Sequence, residues 1–348
     1  MHGRQAPVRG RRRAPVARAL RARGRHDHRP PRPGARVSRP RVVALGGGHG
    51  LAATLSALRL VSDQITAVVT VADDGGSSGR LRAEFDVLPP GDLRMALAAL
   101  CNDDEWGTTW AAVLQHRFAG EGPLGGHSLG NLLILSLWEH YGDTVRGLDM
   151  VGRLLSARGR VLPMAAVPLT IEAVVRGLDP GDPEALSTVT GQASVAKTPG
   201  QVASIAVVPQ EPPASPEAVQ AIDEAGWVVL GPGSWFTSVI PHLLVPELRA
   251  ALVRTPARRL LNLNLELDTS ETSGFTAERH LEVLAAHAPE LRLDVVLADP
   301  SVVADEQALR QAAQQLGAEL VVAEVATAGS PGQHDSLRLA AAYRDIMS

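Results

Sequence analysis

From residue 41 onward, short solid runs of apolar residues alternate with longer stretches of helical spacing. Val42-Val43-Ala44-Leu45 is the first such run. A run this short and unbroken predicts a strand buried on both faces. Glycines break it, and Leu51, Leu55 and Leu58 then recur at helical spacing. Residues 65–72, rich in Val and Thr, predict a second strand. Helices are predicted over 93–100, with Asp92 as cap, and over 108–118, 129–141 and 144–156. The helix 129–141 is apolar on most faces, so it should be buried.

The texture changes after residue 160. Short runs at 171–175, 187–190, 193–196 and 202–208 read as strands, with a turn over 177–183. They predict a β-rich insertion over about 161–210. Ser215-Pro216 then opens a helix, with Ser215 as cap and Pro216 at its first position. Strands at 227–230, 259–265, 293–298 and 320–325 alternate with helices within 235–253 and over 276–287, 305–316 and 336–347. Ser336 is read as the cap of the last helix. Such alternation predicts an α/β fold: a Rossmann-like, mostly parallel sheet with helices on both faces and the β-rich insertion. The domain occupies residues 41–348, after an Arg/Pro-rich extension over 1–40.

Charge separates these two parts. Residues 1–40 hold 13 Arg and a single Asp, whereas the remainder holds 21 basic and 36 acidic residues. The folded part is acidic, which argues against a nucleic-acid-binding face on it. The extension lacks an apolar core region, so it is not a secretory signal. It reads as disordered. A basic arm for an anionic surface is the sharper alternative, and a true start further downstream the plainer one. With 45% apolar residues, a large core can form, but aromatics are only 3%, so Leu, Val, Ala and Ile must build it. No apolar run approaches the length of about 18 residues that a membrane-spanning helix needs. Cys101 is the single cysteine, which excludes a disulfide framework and points to a reducing cytoplasm. It follows the apolar run 95–100 and reads as a buried thiol.

Three loops carry candidate chemistry. Gly46, Gly47, Gly48, His49 and Gly50 join a strand to a helix. Glycine lets the backbone approach a ligand closely, and the helix start offers free N–H groups to phosphate. The same residues also suit a plain tight turn. Their spacing breaks the dinucleotide fingerprint, because Leu51 stands at its last glycine, and no lysine follows to make a P-loop. This counts against a nicotinamide-dependent oxidoreductase. Asp73, Asp74, Ser77 and Ser78 lie in a loop at the end of the second strand, the edge where open α/β sheets bind ligands. Their carboxylates suit a ribose hydroxyl or a Mg²⁺, for which Asp73 and Asp74 are the candidate ligands, and their hydroxyls suit phosphate. A cap and turn is the structural alternative. Gly231, Gly233 and Ser234 form another strand-to-helix loop, and two such loops suit a diphosphate. Asp92, Arg94 and Asn131 are further polar candidates, with His127 beside the last of these. Ser128 lies outside a nucleophile elbow.

Taken together, ADDGGSSGR (72–80), PPGDLR (89–94), H-x-x-G-N (127–131), GPGS (231–234) and ETSGF (271–275) resemble the gluconeogenesis-factor family, which is related to the 2-phospho-L-lactate transferases. The resemblance spans nearly all of residues 41–347. It implies a Rossmann-like core, often dimeric, that binds a nucleotide sugar such as UDP-N-acetylglucosamine. It also implies a role in cell shape and cell-wall supply during growth on gluconeogenic carbon sources, with cell-wall synthesis proteins as partners. Carried over, it adds Glu271 and Phe275, with Phe275 placed to stack on a base, and Gln333 where the family has a cation before His-Asp. Here Gln-Pro-Gly before Glu-Thr is replaced by Asp268-Thr269-Ser270, and His49 replaces a common Thr. The resemblance leaves open a transferase that moves a phospho-lactyl group from a nucleotide diphosphate. No cofactor is required by the first reading, and Mg²⁺ by the second.

Overall fold

The computed structural model describes residues 40–348. The extension lies outside the described residues. Seven strands form the central sheet: β1 (Arg41–Gly46), β2 (Gln64–Val69), β3 (Arg160–Pro163), and, after three strands placed elsewhere, β7 (Trp227–Leu230), β8 (Arg258–Asn262), β9 (Val295–Ala298) and β10 (Glu319–Val322). Their order is β10-β9-β8-β7-β1-β2-β3, and every pair is parallel. β7 and β9 are buried at every position, and β1 at all but Arg41. Strands apolar on both faces need cover on both, which the intervening helices provide.

The order of these strands positions the site. From β1 the chain builds outward through β2 and β3, then returns to the opposite side of β1 with β7 and builds outward again. The connections after β1 and β7 therefore leave in opposite directions. They open a crevice beyond the carboxyl ends of those two strands, the place where open α/β sheets take ligands. The loops 46–50 and 231–234 flank that crevice.

The three other strands of this region, β4 (Thr170–Arg176), β5 (Leu186–Thr190) and β6 (Gln201–Val208), form an antiparallel sheet with β4 in the middle. Within the segment read as an insertion, residues 160–163 belong instead to the main sheet, paired with β2. The run 193–196, read as a strand, is helical over Gln192–Val195. Val195 alone in that helix is fully buried, so its apolar residues could not be told from a strand by alternation. Two further strands, β11 (Ala326–Thr327) and β12 (Ser330–His334), form a hairpin that the sequence reading did not contain. The last helix, Ser336–Met347, is capped by Asp335, which accepts from the amides of Leu337 and Arg338, and not by Ser336. Ser215 likewise makes no capping bond, because its hydroxyl donates to Glu217. Asp92 lies inside the helix Gly91–Ala99 and not at its cap. Among the described residues no single helix is long and apolar enough to cross a membrane.

A buried polar chain ties the last helix to the crevice. Asn262 donates to the Tyr343 hydroxyl at 3.2 Å, Tyr343 pairs with Thr54, and Thr54 donates to the Gly231 carbonyl at 3.1 Å. Tyr343 is fully buried, and burial raises its pKa. Tyr343→Phe leaves Asn262 and Thr54 each short of a partner. The substitution should cost about 1–3 kcal/mol, read as a lower urea midpoint at unchanged slope.

Candidate functional site

The β1 loop and the β7 loop meet in direct backbone contact. A Cβ on Gly50 would fall on the carbonyl of Pro232 and within 2.7 Å of Gly233 Cα. Only a residue without a side chain allows that crossing. Gly47 is equally enclosed, since its Cβ would fall on Thr70 and within 2.5 Å of Asp92 Oδ2. Gly46 ends β1, with its carbonyl accepting from Thr70 at 3.0 Å. Gly47 has no side chain to cap the helix Gly48–Leu58, and Asp92 accepts from its first amide, that of Gly48. The positive end of this helix therefore faces the crevice.

Asn264 and Glu271 hold the opposite loop. Asn264 clamps Gly233 on both sides: its Nδ2 donates to the Gly233 carbonyl and its Oδ1 accepts from the Gly233 amide, each at 2.8 Å. That amide is thus not free for phosphate. Glu271 accepts from the amides of Phe236 and Trp235, which open the turn after Ser234. Burial, only partly offset by these bonds, raises its pKa to about 7.

Between the loops lies a cleft of about 460 Å³. His49 and Ser234 stand exposed on its wall, and Gln192, Glu266 and His334 reach it from the insertion, the segment after β8 and the hairpin. Four buried atoms on that wall lack a hydrogen-bond partner among the described residues: Asp92 Oδ2, Gln192 Oε1, Glu271 Oε2 and His334 Nε2. Buried polar atoms are nearly always paired, so four orphans around one cleft mark a place for polar ligand atoms. Burial lowers the His334 pKa to about 4, so this imidazole is neutral.

Asp92 also borders a second cavity, of about 250 Å³. Asp73, Ser77, Ser78, Arg94, Arg117 and Asn131 line it. Asn131 organises the cavity: it accepts from Arg94 Nε at 2.9 Å and donates to Ser77 Oγ at 3.0 Å and Ser78 Oγ at 3.5 Å. Ser77 also pairs with His127 Nδ1 at 3.0 Å. Burial first, and then the charge of Asp73, raises the Asp92 pKa to about 7. Burial first, and then Arg117, lowers that of Arg94 to about 10.

The two cavities therefore gather Gly47, Gly48, His49, Gly50, Asp73, Ser77, Ser78, Asp92, Arg94, Asn131, Gly233, Ser234 and Glu271. Five expected residues line neither cavity: Gly46, which ends β1, Gly231, which follows β7, and Asp74, Phe275 and Gln333. Phe275 is buried in edge-on contact with Phe236 and His280, with ring centres at 6.0 and 5.3 Å. It borders neither cavity, so it cannot stack on a base there. Gln333 is exposed and off the cleft, while its neighbours Gly332 and His334 line it. Strand alternation turns every second residue away. Asp74 accepts from the Ala193 amide at 3.0 Å and so anchors the insertion helix. Asp73 and Asp74 thus do not share a cavity wall, and among the described residues no cluster of three or more metal-ligating groups occurs. Asn264, Gln192, Glu266, His334 and Arg117 were not foreseen as site residues. Asn264 had a readable signal, a polar residue just past a buried strand on the ligand edge.

Comparison with known proteins gives a consistent result. A sequence profile of the family described as 2-phospho-L-lactate transferase CofD matches residues 42–333. The chain is 55% identical over 303 residues to a putative gluconeogenesis factor of Mycobacterium tuberculosis, covering 86% of this chain and 88% of that one. It is 34% identical over 268 residues to the gluconeogenesis factor of Bacillus subtilis, covering 77% and 81%. A crystal structure of a UPF0052-family protein from Bacillus halodurans superposes with a TM-score of 0.77 at 33% identity, covering 86% of this chain and 97% of that one.

Two outcomes follow from the geometry. Gly50→Ala forces backbone against backbone, which no side-chain rotation relieves. It should lower stability by about 1–3 kcal/mol, measured by thermal melting. The second concerns pH. The folded-state values of Asp92 and Glu271 lie near 7, against ordinary values of 3.8 and 4.5. Between about pH 4 and pH 7 the unfolded chain loses these protons while the folded chain keeps them, so these two groups lower stability as pH rises, while the buried His242 and His334, held near 4 against 6.5, raise it over the same window. Asp92→Asn removes one of the two destabilising contributions, so its stability should rise relative to wild type as pH goes from 4 to 7 in a denaturation series, and an unchanged difference would contradict the assignment.

Proposed function

The chain belongs to the CofD (2-phospho-L-lactate transferase) family, and on that premise we propose that it is a gluconeogenesis-factor-type regulator that binds a nucleotide sugar of the UDP-N-acetylglucosamine kind without consuming it. The crossing of the two glycine loops at the switch point of the sheet carries this reading. A diphosphate would lie there against the start of the helix Gly48–Leu58, beyond the one amide that Asp92 takes. Among the described residues the cleft wall has no Lys or Arg but carries three carboxylates, Asp92, Glu266 and Glu271. Such a wall suits a diphosphate diester better than a triphosphate of higher charge. Gln192 Oε1 and Glu271 Oε2 are acceptors for sugar or ribose hydroxyls. That relatives at 34–55% identity are called gluconeogenesis factors supports the regulatory role. The role places the protein in the cytoplasm as a homodimer that responds to nucleotide-sugar supply and acts on cell-wall synthesis proteins and cell shape.

The family profile favours a second reading, a phospho-lactyl transferase acting on a nucleotide diphosphate. Its Mg²⁺ would be held by Asp73 and Asp92, which border one cavity, and not by Asp74; the unpartnered Oδ2 of Asp92 fits that use. The ion would supply charge neutralisation at the phosphates, and Arg94 would orient the group being moved.

A thermal-shift series separates the two. UDP-N-acetylglucosamine at about 100 times its dissociation constant should stabilise the protein by about 2.7 kcal/mol, with no Mg²⁺ requirement and no product. Stabilisation only by GDP with Mg²⁺ would reverse the order of the two readings.

A further inference from the structure

We propose that β5 is the edge through which two copies of this chain associate, each pairing its β5 with the other's across a two-fold axis, and that a ligand in the cleft strengthens the pairing through Gln192. The proposal deepens the homodimer reading above and, for its ligand, rests on the nucleotide-sugar reading.

The insertion sheet has two edges, and they are finished differently. β6 lies against the helix Pro241–Leu244, its pairing with β4 is irregular at Val174 and Val175, and Pro209 follows its last residue. Cover, bulges and proline are devices that keep an edge strand from pairing further. β5 has none of them. It runs in regular register with β4 from Leu186 to Thr190, holds no charged residue and no proline, and has no strand on its outer side among the described residues. Leu186, 60% exposed, shares its face with the exposed Thr188 and Thr190, while Ser187 and Val189 on the other face are only half-buried. Such an uncharged, unprotected edge is a template for another strand.

Charge selects a second copy as the occupant, in antiparallel pairing. Asp179, Asp182 and Glu184, all exposed, precede β5, and Glu184 meets only Arg176, at 3.3 Å. Lys197, the chain's only lysine, follows the strand, and among the described residues its exposed ammonium makes no ion pair or hydrogen bond. Antiparallel pairing about Thr188 sets Leu186 against Thr190 of the second copy and Ser187 against Val189 of the second copy, so that β-branched residues meet on both faces. The same register, continued, brings Glu184 of one copy opposite Gln192 of the other, one helical turn before Lys197. Each acidic start thus meets the other copy's lysine, whereas parallel pairing would set acid beside acid.

The same strand leads directly to the cleft. Gln192, whose Oε1 is unpartnered in the cleft wall, follows the end of β5 after a single residue, Gly191. Gly191 packs so closely on Asp74 that a Cβ there would fall on its carboxylate, and Asp74 also accepts from the Ala193 amide. A ligand that holds Gln192 therefore fixes the end of β5, and pairing of β5 fixes Gln192; the coupling is reciprocal. Five residues a side bury less than the roughly 1,200 Å² of a stable interface. The association is accordingly weak until a ligand supports it.

Sedimentation equilibrium of the full chain, with and without UDP-N-acetylglucosamine, tests this. Wild type should form a weak dimer that the nucleotide tightens about tenfold. Thr188 is exposed, so Thr188→Arg and Thr188→Glu should fold, and each should abolish the dimer by setting like charges face to face. An equimolar mixture of the two variants should restore it, which misfolded chains could not do. Carbodiimide treatment of wild type should join Lys197 to Glu184 between copies, read by mass spectrometry of mixed isotope-labelled and unlabelled chain. A dimer that survives both substitutions overturns the edge and leaves the homodimer reading in place. A monomer at every concentration, with and without nucleotide, overturns both. A dimer that bound nucleotide leaves unchanged overturns the coupling through Gln192. If the nucleotide does not bind, the nucleotide reading fails, and the mixture of Thr188 variants still decides the edge.

Discussion

The backbone contact between Gly50 and the Pro232-Gly233 segment is the constraint on which the site depends. β1 and β7 are neighbours in the sheet but far apart in the chain, so their outgoing loops meet only because the strand order turns back at that point. Any side chain at Gly50 would part them. Once they touch, other features follow. The start of the helix after β1 faces the cleft, Asn264 must clamp Gly233 from the next strand, and Glu271 must hold the amides beyond Ser234. The polar chain from Asn262 through Tyr343 and Thr54 reaches the same loop from the C-terminal helix. Strain on any of these supports is expected to reach the cleft.

Asp92 joins the two halves of the site. It takes the first amide of the helix Gly48–Leu58, borders both cavities and keeps one oxygen unpaired. A carboxylate this buried holds its proton to near neutrality, which reduces its repulsion toward an anionic ligand. Stability is given up for that placement, as is usual where polar groups are buried for binding.

Much of this was legible in the chain. Short apolar runs broken by glycine marked β1 and β7, and alternation with helical spacing implied the parallel sheet. Those signals are local, and residues such as Ser77, Ser78, Arg94 and Asn131 lie close to them in sequence. What failed depended on direction. Phe275 was expected to face a base, but whether an aromatic points into a cleft or a core is decided by its neighbours, here Phe236 and His280. Gln333 was expected to meet phosphate, yet strand alternation put Gly332 and His334 there instead. Asp73 and Asp74 looked like one acidic unit, and consecutive residues diverge, so Asp74 went to the insertion helix. Gln192 and Arg117 reach the site from elements far along the chain, and no local pattern marked them.

The most direct test of the central claim is hydrogen–deuterium exchange of the backbone with and without UDP-N-acetylglucosamine. The loops 46–50 and 231–234 should both gain protection together, since one ligand sits on their crossing. Protection confined to one of them, or appearing only outside the cleft, would contradict the account.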